Sequence, residues 1–354
     1  MSENLQQLRE QIDRLDDELL SVFNRRAALA QKIGHLKEDG TVLRPEREAQ
    51  ILRRLQAANG GPLGNEAIAC LFTEVMSHCR ALEAPLMVAY LGPQGTFSEQ
   101  ACLKRFGHAV CGTPCASIDE VFHVVESGAV QYGVAPVENS TEGAVGRTLD
   151  LLLNTSLQIC GEVMLQVHQC LLSAESDLSL IKKVYSHPQS FGQCQGWLNT
   201  HLPHAERVTA SSNADAARLA AEESFAAAVA GMSAAESFKL RVLAQNIEDD
   251  ARNTTRFLVL GKQAVAPSGQ DKTSLVLSAA NRPGAVHDLL APLAAHGVSM
   301  TRLESRPARS GLWEYVFYMD IEGHQSEPAV AAALAELKQT AAFIKILGSY
   351  PVAA

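Results

Sequence analysis

The chain has 354 residues, more than a single hydrophobic core usually supports, so two or three domains are expected. With 47% hydrophobic and 19% charged residues, it has the composition of an ordinary globular protein rather than a disordered or collagenous one. A formal charge of -9 argues against a nucleic-acid partner, because such affinity comes mostly from a basic face that neutralises phosphates.

The first residues, MSENLQQLREQIDRLDDELL, carry acids at amphipathic spacing rather than a basic segment followed by an apolar run, so no signal peptide is read there. No apolar stretch reaches the roughly 20 residues needed to span a bilayer. No membrane association is expected, and the expected location is the cytoplasm. Leu5, Leu8, Ile12, Leu15, Leu19, Val22, Leu29, Ile33 and Leu36 recur at steps of three, four and seven without a proline, which predicts one helix over residues 5–38. At 1.5 Å per residue it is roughly 50 Å long, more than a small domain can cover, so a partner chain is implied. Pro45 opens a second helix through RPEREAQILRRLQ, NGGPLG ends it, and a third helix runs over 65–83.

Arg26 and Lys37 lie three turns apart on one helix face, roughly 16 Å along the axis, where two long side chains can grip a small dianion. Arg9 is roughly 25 Å further back, so it can serve only the site of a second copy in a two-fold dimer. A dimeric helical bundle with solvated charges explains the same spacing equally well.

Near Pro85 the pattern changes. Short apolar runs (LMVAYLG, YGVAPVE, AAAVAG, RFLVLG) alternate with helical segments up to about residue 262, an α/β arrangement. Three loops in it lead into helices. In GPQGTFSEQA, Thr96 and Glu99 form a capping box. In PVENSTEG, the residues Asn139, Ser140 and Thr141 offer hydroxyls and an amide; in YSHPQSFGQ, the corresponding set is Ser186, His187, Gln189 and Gln193. Such loops bind carboxylates with little formal charge. In RNTTRFLVL, Thr254, Thr255 and Arg256 stand directly before a strand, where scaffolds present reactive groups. The eight cysteines sit among apolar neighbours and read as small core residues; the close pair Cys111 and Cys115 lacks the companions of a zinc site.

Residues 263–271 read as a linker, and from 272 to 354 the order βαββαβ suggests a ferredoxin-like module. NRPGAVHDLL places Pro283, Gly284, Ala285 and Val286 at a helix start, and LESRP places Glu304, Ser305, Arg306 and Pro307 at a strand end. With no catalytic cluster, the module reads as one for binding or dimerisation.

These motifs carry three resemblances. LREQIDRLD, RRAALAQKIGHLK and RPERE make residues 1–85 resemble the all-helical chorismate mutase domain. That resemblance implies an intertwined dimer and carboxylate contacts from Arg26, Arg47 and the other copy's Arg9, with Lys37 and Glu48 lining the site. It also implies Glu83 where the family's second ether-oxygen donor is usually glutamine. Arg44 and Cys79 stand where some members have an acid and a serine. GPQGTFS, PVENSTEG, SHPQ and TRF, in this order, make residues 86–262 resemble prephenate dehydratase, whose fold is two α/β lobes similar to a type 2 periplasmic-binding protein. The implied donor to the leaving hydroxide is Thr255, with Arg256 orienting a carboxylate. Residues 272–354 resemble the ACT regulatory domain, which implies phenylalanine bound at an interface between two such modules by the 283–286 and 304–307 segments.

The expectation is a bifunctional enzyme taking chorismate through prephenate to phenylpyruvate, inhibited by phenylalanine, with neither metal nor organic cofactor. Three alternatives stay open in the sequence. One is a preference for arogenate, which a single pocket contact can decide. Another treats the N-terminal helices as only a dimerisation coiled coil. The last is a solute-binding protein without turnover, against which the absence of a signal peptide and the Thr255, Arg256 pair both count.

Overall fold

The computed structural model describes residues 5–37, 41–279, 282–307 and 315–353. Asn281 of the NRPG segment, Glu38 at the end of the first expected helix, and Trp313 and Glu314 of the expected strand WEYVFYMDI lie outside these ranges.

Three helices come first: α1 (Leu5–Leu36), α2 (Pro45–Ala58) and α3 (Asn65–Ala81). Pro45 occupies the first turn of α2, where its missing N–H removes no intrahelical bond. The α2–α3 pair is docked on the rest of the chain. Leu43, just before α2, is buried in a core with Tyr90, Phe106 and Val265, and Arg53 on α2 donates to the Ser268 hydroxyl at 3.0 Å and the Gln270 carbonyl at 2.7 Å. None of the residues of α1 is buried.

The middle of the chain forms two lobes. The first contains β1 (Met87–Leu91), α4 (Phe97–Phe106), β2 (Cys111–Cys115), α5 (Ile118–Ser127), β3 (Tyr132–Asn139), β4 (Gly143–Ala144), α6 (Gly146–Asn154) and β5 (Gln158–Gln166). The chain then crosses to the second lobe: β6 (Cys170–Ser173), β7 (Lys183–Ser186), α7 (Pro188–Gln193), α8 (Gln195–His201), β8 (Glu206–Thr209), α9 (Asn213–Glu222), β9 (Ala226–Ala230), α10 (Met232–Phe238) and β10 (Arg241–Ala244). It returns to the first lobe as β11 (Thr254–Gly261). The sheet orders are β2-β1-β3-β11-β5, with β4 beside β3, and β10-β6-β9-β7-β8. Two crossovers, residues 167–169 and 245–253, therefore join the lobes, and they are bonded to each other through Val167 N–H to the Asn253 carbonyl and Ile247 N–H to the Gln169 carbonyl. β9 is a run of alanine and valine buried at every position, as a strand covered on both faces requires.

The last module is β12 (Asp271–Ser278), α11 (Ala285–Ala295), β13 (Met300–Pro307), β14 (Tyr315–Glu322), α12 (Pro328–Thr340) and β15 (Phe343–Pro351), an antiparallel sheet ordered β13-β14-β12-β15 with the βαββαβ connectivity expected. One face packs on α11 and α12 around Leu277, Leu289, Leu334 and Leu337. The other face is not solvated. Val276, Tyr318, Leu347 and Tyr350 share one continuous core with Leu149, Leu152, Ile159 and Leu258 of the first lobe. At Gly348 the two backbones meet so closely that a Cβ would collide with the Ile159 carbonyl oxygen.

The expected linker is itself held in place. Val265 is buried, its carbonyl accepts from His324 Nε2 at 2.9 Å, and Asp271 accepts from the Ser268 hydroxyl and amide.

Candidate active sites and the family of the chain

In the helical region, α1 and α3 bring together four of the residues singled out in the sequence. Arg26 Nη1 lies 3.0 Å from Cys79 Sγ, and Lys37 Nζ lies 2.8 Å from Glu83 Oε2. Glu83 packs directly over Gly34, whose missing side chain makes the room: a Cβ there would be 2.8 Å from Glu83 Cγ. Arg26 occupies the one position of the three-and-four stripe on α1 that is not apolar. Arg47 is exposed on α2, and Arg9 is exposed near the far end of α1.

Glu48 requires a correction. Its side chain does not line this site but is buried between regions, one oxygen on Arg80 of α3 and the other 2.9 Å from Arg105 of α4. Arg80 in turn donates to the Phe106 carbonyl. The side chain faces the dehydratase-like lobe because α2 docks there, a packing that helical periodicity alone does not reveal.

In the two-lobed region, Asn139 is the centre of the first lobe's site. Its Nδ2 donates at 2.8 Å to both Thr255 Oγ1 and Asn253 Oδ1, and its Oδ1 accepts from the Thr141 hydroxyl at 2.6 Å and from the amides of Thr141 and Glu142. Asn139 is thus fully engaged and orders the loop and the threonine rather than contacting a ligand. Thr255 Oγ1 accepts from Asn139 and, among the described residues, has no other partner, so its O–H is left to donate outward. Ser140 is tied to the neighbouring strand, accepting from Thr254 N–H at 3.0 Å, and Thr254 donates to the Arg252 carbonyl.

Arg256 also departs from expectation. Both threonines and Arg256 lie inside β11 rather than before it, and successive residues of a strand face opposite sides. The register places Thr255 opposite Asn139 on one face and Arg256 opposite Glu138 on the other. Arg256 is buried with its Nε 2.8 Å from Glu162, Nη1 2.5 Å from Asp320 and Nη2 3.0 Å from the Tyr350 hydroxyl. Burial opposes its charge, yet Tyr350, Asp320 and Glu162 outweigh that and hold the guanidinium above its usual range. It joins the regulatory-type module to the lobe and does not orient a carboxylate of the substrate.

Thr96 and Ser186 are likewise structural. The Thr96 hydroxyl donates to the Leu91 carbonyl and caps α4 by accepting from Glu99 N–H, while Glu99 accepts from Gly95 N–H at 2.6 Å. Ser186 is fully buried and bonded to the Val229 carbonyl. His187 caps α7 by accepting from the Gln189 amide. Gln193 accepts from Gln169 Nε2, which also donates to Ser190 Oγ, and Asn213 donates to that same hydroxyl at 2.8 Å. All three loops nevertheless border the junction of the lobes: Ser233 of α10 donates to the Gly95 carbonyl, and the Asn139 and Gln193 clusters meet the two crossovers at Asn253 and Gln169.

Sequence reading missed Asn253 and Gln169. Asn253 stands in the quoted stretch beside Thr254, so its motif was visible although its role was not; Gln169 lies on a crossover with no local signal. Among the described residues no cluster of three or more His, Cys, Asp or Glu side chains suits a metal ion, and burial pushes the Cys102 and Cys160 thiols up to about 12.

Comparison with known proteins matches three family models in chain order: chorismate mutase type II over residues 8–84, prephenate dehydratase over 88–265, and the ACT domain over 273–339. The bifunctional chorismate mutase/prephenate dehydratase of Neisseria gonorrhoeae is 53% identical, the match covering 100% of this chain and 99% of that one. The chain belongs to the bifunctional chorismate mutase/prephenate dehydratase family. It is an enzyme of phenylalanine biosynthesis with both activities. The fold agrees with a crystal structure of prephenate dehydratase in complex with L-Phe from Arthrobacter aurescens, at a TM-score of 0.70 and 33% identity over 75% of this chain and 90% of that one. A structure described as a novel type of quorum quenching acylase matches equally well, with a TM-score of 0.70 and 32% identity over 75% and 98%. The shared fold therefore carries more than one chemistry, and it is the site, not the fold, that speaks for a particular turnover. No described helix of this bifunctional enzyme is long and apolar enough to cross a membrane.

Proposed function

We propose that the α1–α3 site rearranges chorismate and that Thr255 drives the dehydration that follows. The first step is pericyclic and needs no nucleophile. Arg26, Arg47 and the Arg9 of a second copy would clamp the diaxial conformer, while Lys37 and a protonated Glu83 donate to the ether oxygen as its charge grows. Glu83 Oε2 accepts from Lys37 Nζ at 2.8 Å, so the two side chains sit together where this reading needs them.

Prephenate must then lose hydroxide and CO2, and hydroxide leaves only with a proton or a strong hydrogen bond. The single observation that carries the assignment is the Thr255 hydroxyl, which accepts from Asn139 and, among the described residues, has no partner for its own proton. Assistance from a neighbour or a water relay compensates for its weak acidity, and aromatisation supplies driving force. The second lobe, through Gln189 and Gln193, closes over the substrate.

Phenylalanine acts on the ACT domain as a feedback inhibitor. Register supports a common effector site: Val316 pairs with Ser278 on one side and Arg306 on the other, so the segments 283–286 and 304–307 lie at one end of the sheet. The working form is a homodimer or larger assembly in the cytoplasm. The test is incubation of purified protein with chorismate, with and without phenylalanine. Phenylpyruvate that phenylalanine suppresses is expected. Thr255→Ala should lower dehydratase kcat by about 10² or more and leave mutase activity intact; a full dehydratase rate would remove Thr255 from the mechanism.

A further inference from the structure

The loop from Asn139 to Val145 carries the residues that order Thr255, and both of its ends are gripped by one strand of the ACT domain. Glu138, immediately before the loop, accepts from Arg302 Nε at 2.7 Å. Just past the loop, Gly146 lies against the Arg306 guanidinium, with space for a Cβ only 2.7 Å from Nη1, and Asp150 one turn on pairs with Arg306 Nη2 at 3.3 Å. Arg302 and Arg306 both belong to β13, four residues apart and therefore on one face, about 13 Å from each other.

We propose that these two arginines transmit the phenylalanine signal to the dehydratase loop. The inference rests on the feedback reading given above and names the route. Three features argue for it. Among the described residues β13 is an edge strand of its sheet, paired with β14 alone, so it can shift without breaking the rest. Arg306 stands in the expected effector segment 304–307 and on α6 at once, so an effector that moves it must disturb Asp150. Arg302 Nη2 is buried with no partner among the described residues, which means the pair with Glu138 is the strongest polar hold on that side chain. A ligand-driven shift of β13 thus changes both anchors of the loop together, while the neighbouring Arg256 network keeps β11 in place.

The experiment changes the anchors on the dehydratase side, which leaves every ACT residue intact. Full-length Glu138→Gln, Asp150→Asn and the double variant are assayed for dehydratase activity with increasing phenylalanine. Phenylalanine binding is measured on the same samples by calorimetry, and mutase activity reports folding. The double variant is expected to bind phenylalanine within about threefold of wild type while its maximal inhibition falls by about fivefold or more, within the range of ordinary allosteric coupling. Inhibition within about twofold of wild type at normal binding would overturn the proposal. Charge reversal covers the case of a misfolded variant: Glu138→Lys should uncouple, and adding Arg302→Glu should restore inhibition, whereas no restoration from a folded double variant counts against the pair. A wild-type enzyme that does not respond to phenylalanine at all would instead overturn the feedback reading itself.

Discussion

The first helix and the seam between the dehydratase lobe and the ACT domain are both apolar surfaces, yet only one of them is covered within the chain. On α1, Leu5, Leu8, Ile12, Leu15, Leu19, Val22, Leu29, Ile33 and Leu36 are each at least 40% exposed. At the seam, Leu258, Val276, Tyr318, Leu347 and Tyr350 are almost wholly buried. A stripe of that length left in water would forfeit about 1.5–3 kcal/mol for each large side chain, which is why the helix calls for a second copy. In the proposed dimer the mutase half is built between chains, whereas the dehydratase half is built within one.

The largest test of this contrast is Leu19→Glu. Because the proposed two-fold dimer carries the change twice, the expected loss is about 3–6 kcal/mol per dimer. Sedimentation should show dissociation together with lost mutase activity, and dehydratase activity should persist. A dimer that survives with full mutase rate would refute an interface through α1.

Next comes Arg256→Ala, which leaves Asp320 buried without its ion-pair partner, while Glu162 keeps Lys272 at 2.9 Å. About 3–5 kcal/mol of stability should go, seen as a lower thermal midpoint for the dehydratase and ACT unit. If the midpoint held and only the KM for prephenate rose, Arg256 would be a substrate ligand after all. Gly348→Ala probes the same seam more gently. The added methyl meets the Ile159 backbone, which no rotamer change relieves, and about 1–3 kcal/mol of destabilisation is expected on chemical denaturation.

The smallest effect concerns the mutase site. Glu83→Gln keeps a hydrogen-bond donor in the same volume, so mutase kcat should hold or rise with little change in stability. A mutase rate lost in Glu83→Gln would remove Glu83 as a donor.

The loops that border the lobe junction were legible because chemistry and punctuation coincide in the sequence. Thr255 follows from its motif, and the αL conformation of Gly284 before α11 and the caps at Thr96 and His187 sit where such residues end loops. Adjacency in sequence is a poor guide to adjacency in space. Thr255 and Arg256 look like one reactive pair, but a strand sends them to opposite faces, and that alternation is available once both are placed in β11. Glu48 and Ser186 cannot be sorted this way, since only docking decides which polar side chain ends up buried among partners.

By itself the sequence determined the element types, the three-part order and the identity of the chemical groups, because periodicity, capping and motif spacing are local properties. Only the tertiary structure decided that Asn139 is held by its own loop, that Glu48 bridges to Arg80 and Arg105, and that the ACT sheet packs on the first lobe. Those outcomes depend on contacts between residues far apart in the chain, such as Arg302 with Glu138 and Arg256 with Tyr350. No local pattern encodes which distant partner a buried charge will find.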